Sequence, residues 1–400
     1  MSITMPRMID PFSSFQTHPS LASRSTVQTH IILPKTPGVR WESQSLTLGS
    51  IRCLEKIAAM KFGLLYSFIT PANGAVSHQA TFREMEALLP LAETLEFHSF
   101  QTTEHHFQHN GWAPSPLLVL AHAAGLTRRM RLVTNVLLLP LYDPLRLVED
   151  VATLDNLSNG RLTLGVSPGY VSEECAAYGV PYTERFARSE EILDILQAAW
   201  RTEELSFNGR YFRIPRTRIV PRPVQSAIPL WYGVSGPKLL RRAALRRCPV
   251  TASPRHTLAE LQSHYAQFDA AAAQVGFATR ERPVIREVFV APTTAQAEAL
   301  AGPAITELFG LYSQKSAAGE RQLRNDRGEL VTDPAMLDFR HFSSRYILGD
   351  PMSVTEQLAQ LTAAIAPSEI ICRMQLPGIP TEAFRESLRL FGERVMPGLA

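Results

Sequence analysis

The residues able to do chemistry gather in a few short stretches. Thr103-Glu104-His105-His106-Phe107 sets a carboxylate and two imidazoles side by side, a grouping that is costly to bury unless its members are used or paired. An imidazole exchanges a proton near neutral pH and so suits acid–base work. Extended backbone sends neighbouring side chains to opposite sides. If His105 points into a pocket, Glu104 and His106 point away and His106 serves structure. Metal binding would need a second His/Asp/Glu group at ligand spacing, and none is evident. The bland alternative is two histidines satisfied within a loop.

Two further stretches carry polar groups. Gly233-Val234-Ser235-Gly236-Pro237 opens the helical pattern KLLRRAAL. Ser235 or Gly236 can cap that helix, and Pro237 fits its first turn. Free N–H groups at a helix start favour an anion, with Lys238 and Arg241 adding charge; simple capping with nothing bound reads equally well. Gly165-Val166-Ser167-Pro168-Gly169-Tyr170 ends an earlier apolar run.

These stretches need a frame that brings them together. Apolar strand-like runs lie at 61–66, 98–102, 131–139, 161–166, 229–233, about 249–252, 284–291 and 369–374. Helical patterns alternate with them at about 80–95, 115–126, 144–157, 186–201, 237–246, 257–275, 294–310 and 381–395. Near-continuous apolar strands imply a parallel sheet covered on both faces, with right-handed crossovers. Eight such units predict a (β/α)8 TIM barrel, whose chemistry sits at the C-terminal ends of its strands. A doubly wound open sheet would carry a Gly-rich first turn, which LLYSFITPANG lacks. Residues 167–185 and 311–348 are too long for plain turns, and the second, an insertion before the last strand, reads as a lid. Phe68, Phe107, Trp112 and Tyr170 would line an apolar pocket beneath it.

Residues 1–59 are rich in Ser, Thr, Pro and His without a sustained apolar period and read as a mostly disordered extension. A targeting peptide is the rival reading. The barrel spans 60–400. Of the 400 residues 45% are hydrophobic and 19% charged, a globular balance. A net charge of +3 offers nucleic acid no strong field, and no apolar run approaches the roughly 18 residues of a membrane span. Four cysteines without a CxxC pair favour a reducing, cytoplasmic setting over a disulfide framework.

Met60–Gly63, the EHHF of 104–107, PLYDPLRLVEDVATLDNLSNGRLTLGV of 140–166 and SLRLFGERVMPGL of 387–399 together resemble the bacterial luciferase α-subunit and its flavin-dependent monooxygenase relatives. The resemblance implies a luciferase-type barrel that takes reduced FMN from a separate flavin reductase. It implies O₂ activation through a flavin C4a-hydroperoxide and oxidation of a small organic substrate. His105 matches the family's active-site histidine, and Glu104 and His106 its flanking acid and second histidine. Asn135 and Val136 match a pair joined by a non-prolyl cis peptide beside the flavin ring. Ser235, Gly236 and Lys238 match the phosphate-binding turn, with Ser167, Tyr170 and Val234 also at the cofactor. Luciferases carry cysteine at Ser167, arginine at Pro168 and an acid at Val234, so monooxygenase is the safer reading. F420-dependent hydride transfer and a non-catalytic flavin-binding subunit are the alternatives. The resemblance also implies a homodimer.

Overall fold

A computed structural model describes residues 60–316 and 323–399. The proposed extension of 1–59 lies outside the described residues, as do residues 317–322 of the proposed lid.

Ten strands and ten principal α-helices follow in order among the described residues: β1 (Lys61–Tyr66), α1 (His78–Thr94), β2 (Ser99–Thr102), α2 (Pro116–Leu126), β3 (Arg131–Leu138), α3 (Pro144–Leu157), β4 (Leu162–Ser167), α4 (Ser172–Ala177), α5 (Arg185–Arg201), β5 (Glu204–Asn208), β6 (Arg213–Arg218), β7 (Leu230–Tyr232), α6 (Pro237–Leu245), α7 (Leu258–Gln274), β8 (Pro283–Val290), α8 (Thr294–Ser316), β9 (Tyr346–Gly349), α9 (Pro351–Ile365), β10 (Glu369–Arg373) and α10 (Thr381–Leu390). Local chemistry starts several helices. Asp143 accepts from the amides of Leu145 and Arg146 ahead of Pro144. Thr257 and Glu260 close a reciprocal capping box, and Asp350 caps α9. Each satisfies amides that the first helical turn leaves open.

The main sheet has eight strands in the order β7-β4-β3-β2-β1-β10-β8-β9, and its ladders are parallel. Strand alternation gives it two apolar faces. Phe62, Leu64 and Tyr66 of β1 join the large core beneath the helices. Leu65 instead meets Val133, Trp231, Ile285 and Ile371 in a separate cluster. Trp231 belongs to β7 at one end of the order and Ile285 to β8 near the other, so the sheet curves until its ends share one interior. That is a parallel α/β architecture, curved as the (β/α)8 barrel expected from the strand pattern requires.

Four details differ from the sequence reading, the first being α9, Pro351–Ile365, which the helical patterns did not include. Residues 249–252 form no extended strand; only Val250 bridges in parallel to Tyr232, because Pro249 and Ser253-Pro254 confine the segment. A four-residue strand, β9, lies in the stretch read as a long connection, and pairs with the C-terminal half of β8. β5 and β6 form an antiparallel hairpin that reverses at Arg210-Tyr211, where the Gly209 amide donates to the Phe212 carbonyl at 2.9 Å.

Glycine permits the tightest approach in the sheet. A Cβ on Gly165 would run into the carbonyl oxygen of Thr134, whose hydroxyl donates to the carbonyl of Gly165 at 2.8 Å. Gly165→Ala is expected to lose about 1–3 kcal/mol through overpacking. Gly125→Ala, on the exposed side of α2 where a Cβ meets nothing, is expected to gain about 0.4–1 kcal/mol. Urea unfolding of both variants checks the contrast.

Candidate active site

The C-terminal ends of the strands enclose a cavity of about 260 Å³ whose wall includes Glu104, His105, Asn135, Val136, Ser167 and Tyr170. Val234 and Ser235 join them on the wall, so the β2, β3, β4 and β7 stretches selected from sequence converge. Gly236 and Lys238 are exposed and stand outside this lining.

The Glu104 carboxylate organises the site. One oxygen accepts from the amide of Leu138 at 2.7 Å. The other pairs with Nε2 of His106 at 2.9 Å and accepts from the Tyr142 hydroxyl at 2.9 Å. Burial pushes the Glu104 carboxyl upward, against the stabilising bonds from His106, Leu138 and Tyr142. The Nδ1 of His106 meets the Tyr178 hydroxyl at 3.0 Å. His106 and Glu104 therefore form a buried strut rather than a pair facing substrate, although the edge of Glu104 contributes to the wall.

His105 points the other way. Its Nδ1 lies 3.1 Å from Oε1 of Glu174, and the same oxygen accepts from the amide of His106 at 2.9 Å. The imidazole stands edge-on to Trp112 and Tyr170, with ring centroids 4.7 and 5.8 Å away. A carboxylate at Nδ1 selects the tautomer that carries its proton there. The facing expected for His105 and His106 is thus found, although the chain has already left the β2 ladder at Thr103.

Asn135–Val136 is a cis, non-prolyl peptide, and the β3–β4 register shifts between Thr134 and Leu137. A Cβ on Gly233 would come within 2.9 Å of Val136, so glycine leaves that space open. The phosphate-turn candidate has the capping geometry of its second option: Gly236, at φ 86°, is the N-cap of α6 and Pro237 its first residue.

Some residues on the wall were not foreseen. Arg373, the last residue of β10, is 2% exposed, lies 3.4 Å from Glu287 and donates to the Tyr312 hydroxyl. Among the described residues its Nε has no partner, and neither have the hydroxyls of Thr103 and Thr251; all three residues border the cavity. The guanidinium of Arg255 sits 5.6 and 5.9 Å from the rings of Tyr170 and Tyr312. Two expected lining residues are not there. Phe68 is 2% exposed and packs on Tyr66 and Phe82. Phe107 is 67% exposed, its φ of 58° turning it outward.

A larger cavity of about 520 Å³ lies at the N-terminal ends, bordered by Lys61, His98, Arg131, Trp231 and Glu369 among others. Size does not decide between the two. Barrel enzymes work at the C-terminal face, and the paired histidines and uncommitted donors stand there. Among the described residues no group of three His, Cys, Asp or Glu is set to hold a metal ion, and no helix is long and apolar enough to cross a membrane.

The pattern of the luciferase-like monooxygenases matches residues 60–367. The chain belongs to that family. It is 29% identical over 238 residues to the oxygenase component of the flavin-dependent trigonelline monooxygenase of Acinetobacter baylyi, covering 56% of this chain and 65% of that one. It is 36% identical over 176 residues to the F420-dependent glucose-6-phosphate dehydrogenase of Beutenbergia cavernae, covering 42% and 52%. The matches thus span less than two thirds of either relative. Among solved structures it is similar to the monooxygenase RslO1 of Streptomyces bottropensis, with a TM-score of 0.75, 26% identity, and 85% of this chain and 100% of that one covered.

Removing the strut should cost stability. His106→Ala leaves Glu104 buried with one bond fewer, and a loss of about 1–3 kcal/mol is expected. Guanidinium unfolding of the variant checks this.

Proposed function

We propose that this luciferase-like oxidoreductase is a monooxygenase that uses reduced FMN, supplied by a separate flavin reductase, and O₂ to oxidise a small organic substrate. The supporting observation is the wall of the C-terminal cavity: one oriented imidazole faces several uncommitted donors across a space rimmed by aromatic rings. The hydroxyls of Thr103 and Thr251 and the Nε of Arg373 offer hydrogen bonds that nothing among the described residues takes up, which fits the polar edge of a flavin ring. Asn135 and Val136 would border the ring. The amides at the start of α6, beside Ser235 and Gly236, would hold its phosphate. Lys238, being exposed, would contribute only a screened charge.

Bound reduced FMN supplies the electrons by which one atom of O₂ enters the substrate and the other leaves as water. The protein's part is to orient, exclude water and manage protons. Trp112, Tyr170 and Tyr312 limit solvent at the cavity. Glu174 orients the His105 ring, and the tautomer it selects makes Nε2 the proton-accepting nitrogen for the oxygen chemistry. The relative named as an oxygenase component supports the two-component reading. The F420-dependent relative keeps hydride transfer to or from that deazaflavin as the second reading. A non-catalytic subunit would have no use for the oriented His105. The enzyme is further proposed to be a cytoplasmic homodimer, which light scattering at micromolar concentration tests for mass.

Titration with FMN and with F420 tests the cofactor: FMN is expected to bind and F420 not, and the reverse would favour hydride transfer. His105→Ala should retain FMN affinity while substrate turnover falls roughly 10²–10⁴-fold. When its complex with reduced FMN meets O₂, hydrogen peroxide should escape faster than from the wild type. An unchanged rate of peroxide release and unchanged turnover would remove His105 from the mechanism.

A further inference from the structure

A chain of buried polar side chains runs through the barrel from one end to the other. At the N-terminal end Glu369 opens β10, is 4% exposed and borders the larger cavity. Its Oε1 accepts from the Ser99 hydroxyl and from Nε2 of Gln101 at 3.2 Å; that amide nitrogen also donates to Ser99 at 2.8 Å. The carbonyl oxygen of Gln101 then accepts from Nδ2 of Asn135 at 2.8 Å. Asn135 is on the wall of the C-terminal cavity. The fold makes room for this chain: a Cβ on Gly63 would collide with both Ser99 and Glu369.

The polarity of the chain is set from its carboxylate end. An ionised carboxylate only accepts, so it draws the NH₂ of Gln101 toward itself. That turns the Gln101 oxygen toward Asn135, which must answer with its own NH₂. Oδ1 of Asn135 is then left for the cavity. We propose that Glu369 is a positioning residue for the flavin site at the far end of the barrel, holding Gln101 and through it Asn135 so that Asn135 presents a hydrogen-bond acceptor to an N–H of the bound flavin. The proposal rests on the flavin reading of the C-terminal cavity.

The chain has a built-in sensitivity to pH. Burial pushes the Glu369 carboxyl up to about 7, with Ser99, Lys61 and Gln101 pulling it down and Glu281 pushing it up. The Arg131 guanidinium on β3 also faces this carboxylate, and the carboxylate in turn helps keep the neighbouring Cys372 thiol neutral. Below that value the carboxyl carries an O–H that needs an acceptor. Gln101 meets the need by turning its oxygen toward Glu369, and Asn135 turns in response to show NH₂ to the cavity. Affinity for a ligand that offers N–H therefore falls as pH drops through the folded value.

Riboflavin, which lacks the titrating phosphate of FMN, is the probe, followed by fluorescence quenching between about pH 6 and 8.5 across the shifted range. Wild-type affinity should fall roughly 3- to 10-fold on acidification, the worth of one hydrogen bond. Glu369→Gln should bind riboflavin without this step. Ser99→Ala, which deprives the carboxylate of a donor, should move the midpoint to higher pH. Because His105 lines the same cavity, these variants assign the step. A step that persists in Glu369→Gln, or a midpoint unmoved in Ser99→Ala, overturns the proposal while leaving the flavin site standing. If Glu369→Gln fails to fold, the Ser99→Ala midpoint decides alone. Absence of riboflavin binding by the wild type overturns both the proposal and the flavin reading.

Discussion

The buried carboxylate of Glu104 is the constraint on which the active end of the barrel depends. A carboxylate that is 2% exposed carries a desolvation cost of several kcal/mol unless donors surround it. The donors here come from the Leu138 amide, the Tyr142 hydroxyl and the His106 ring. Satisfying Glu104 therefore ties the segment after β2 to the end of β3 and the turn beyond it. His106 is held on the outer side of that tie, and the chain geometry turns its neighbour His105 into the cavity. Glu174 completes the arrangement by accepting from the His106 amide while facing Nδ1 of His105. One imidazole is structural and the other is presented, by the same local network.

The interior of the barrel is layered along its axis. Leu65, Val133, Trp231, Ile285 and Ile371 form an apolar cluster, with Gln101 at the register of Leu65 and Val133 and Ser99 and Glu369 further toward the N-terminal ends. Asn135 reaches into that layer by bonding to Gln101. Polar groups placed so deep must be satisfied completely or they destabilise the core. The reward is rigidity, because a hydrogen-bonded amide with one permitted orientation shows a single face to a ligand. Arg373 is treated similarly. Glu287 balances its charge in the interior and Tyr312 takes one of its donors, while Nε stays unassigned at the cavity.

Much of this was legible in the residues and some was not. EHHF could be read because three ionisable groups in succession at a strand end are improbable as packing. Seven of the ten strands, all but β5, β6 and β9, were visible as apolar runs, and the positions matched to the flavin site from Asn135 to Ser235 do gather at one cavity. Arg373 was hidden inside EIICRM, where one arginine reads as the end of a strand rather than as an inward group. The bond from Asn135 through Gln101 to Glu369 joins residues far apart in the chain, and no local pattern announces it. β9 is only four residues long, too short for its period to stand out in a long polar stretch. The β5–β6 hairpin reverses at Arg210-Tyr211, residues with no turn signature, and its strands are mostly exposed. Phe107 was misplaced because its aromatic character said nothing about the left-handed backbone that turns it to solvent.

The central claim is that a flavin occupies the C-terminal cavity, beside His105 and Asn135. A crystal structure of the protein soaked with FMN tests it directly. The account predicts the isoalloxazine ring against Asn135 and Val136, with the phosphate at the amides of Ser235 and Gly236. FMN seated instead in the larger cavity beside Lys61, Arg131 and Glu369, or F420 bound where FMN is not, would contradict it.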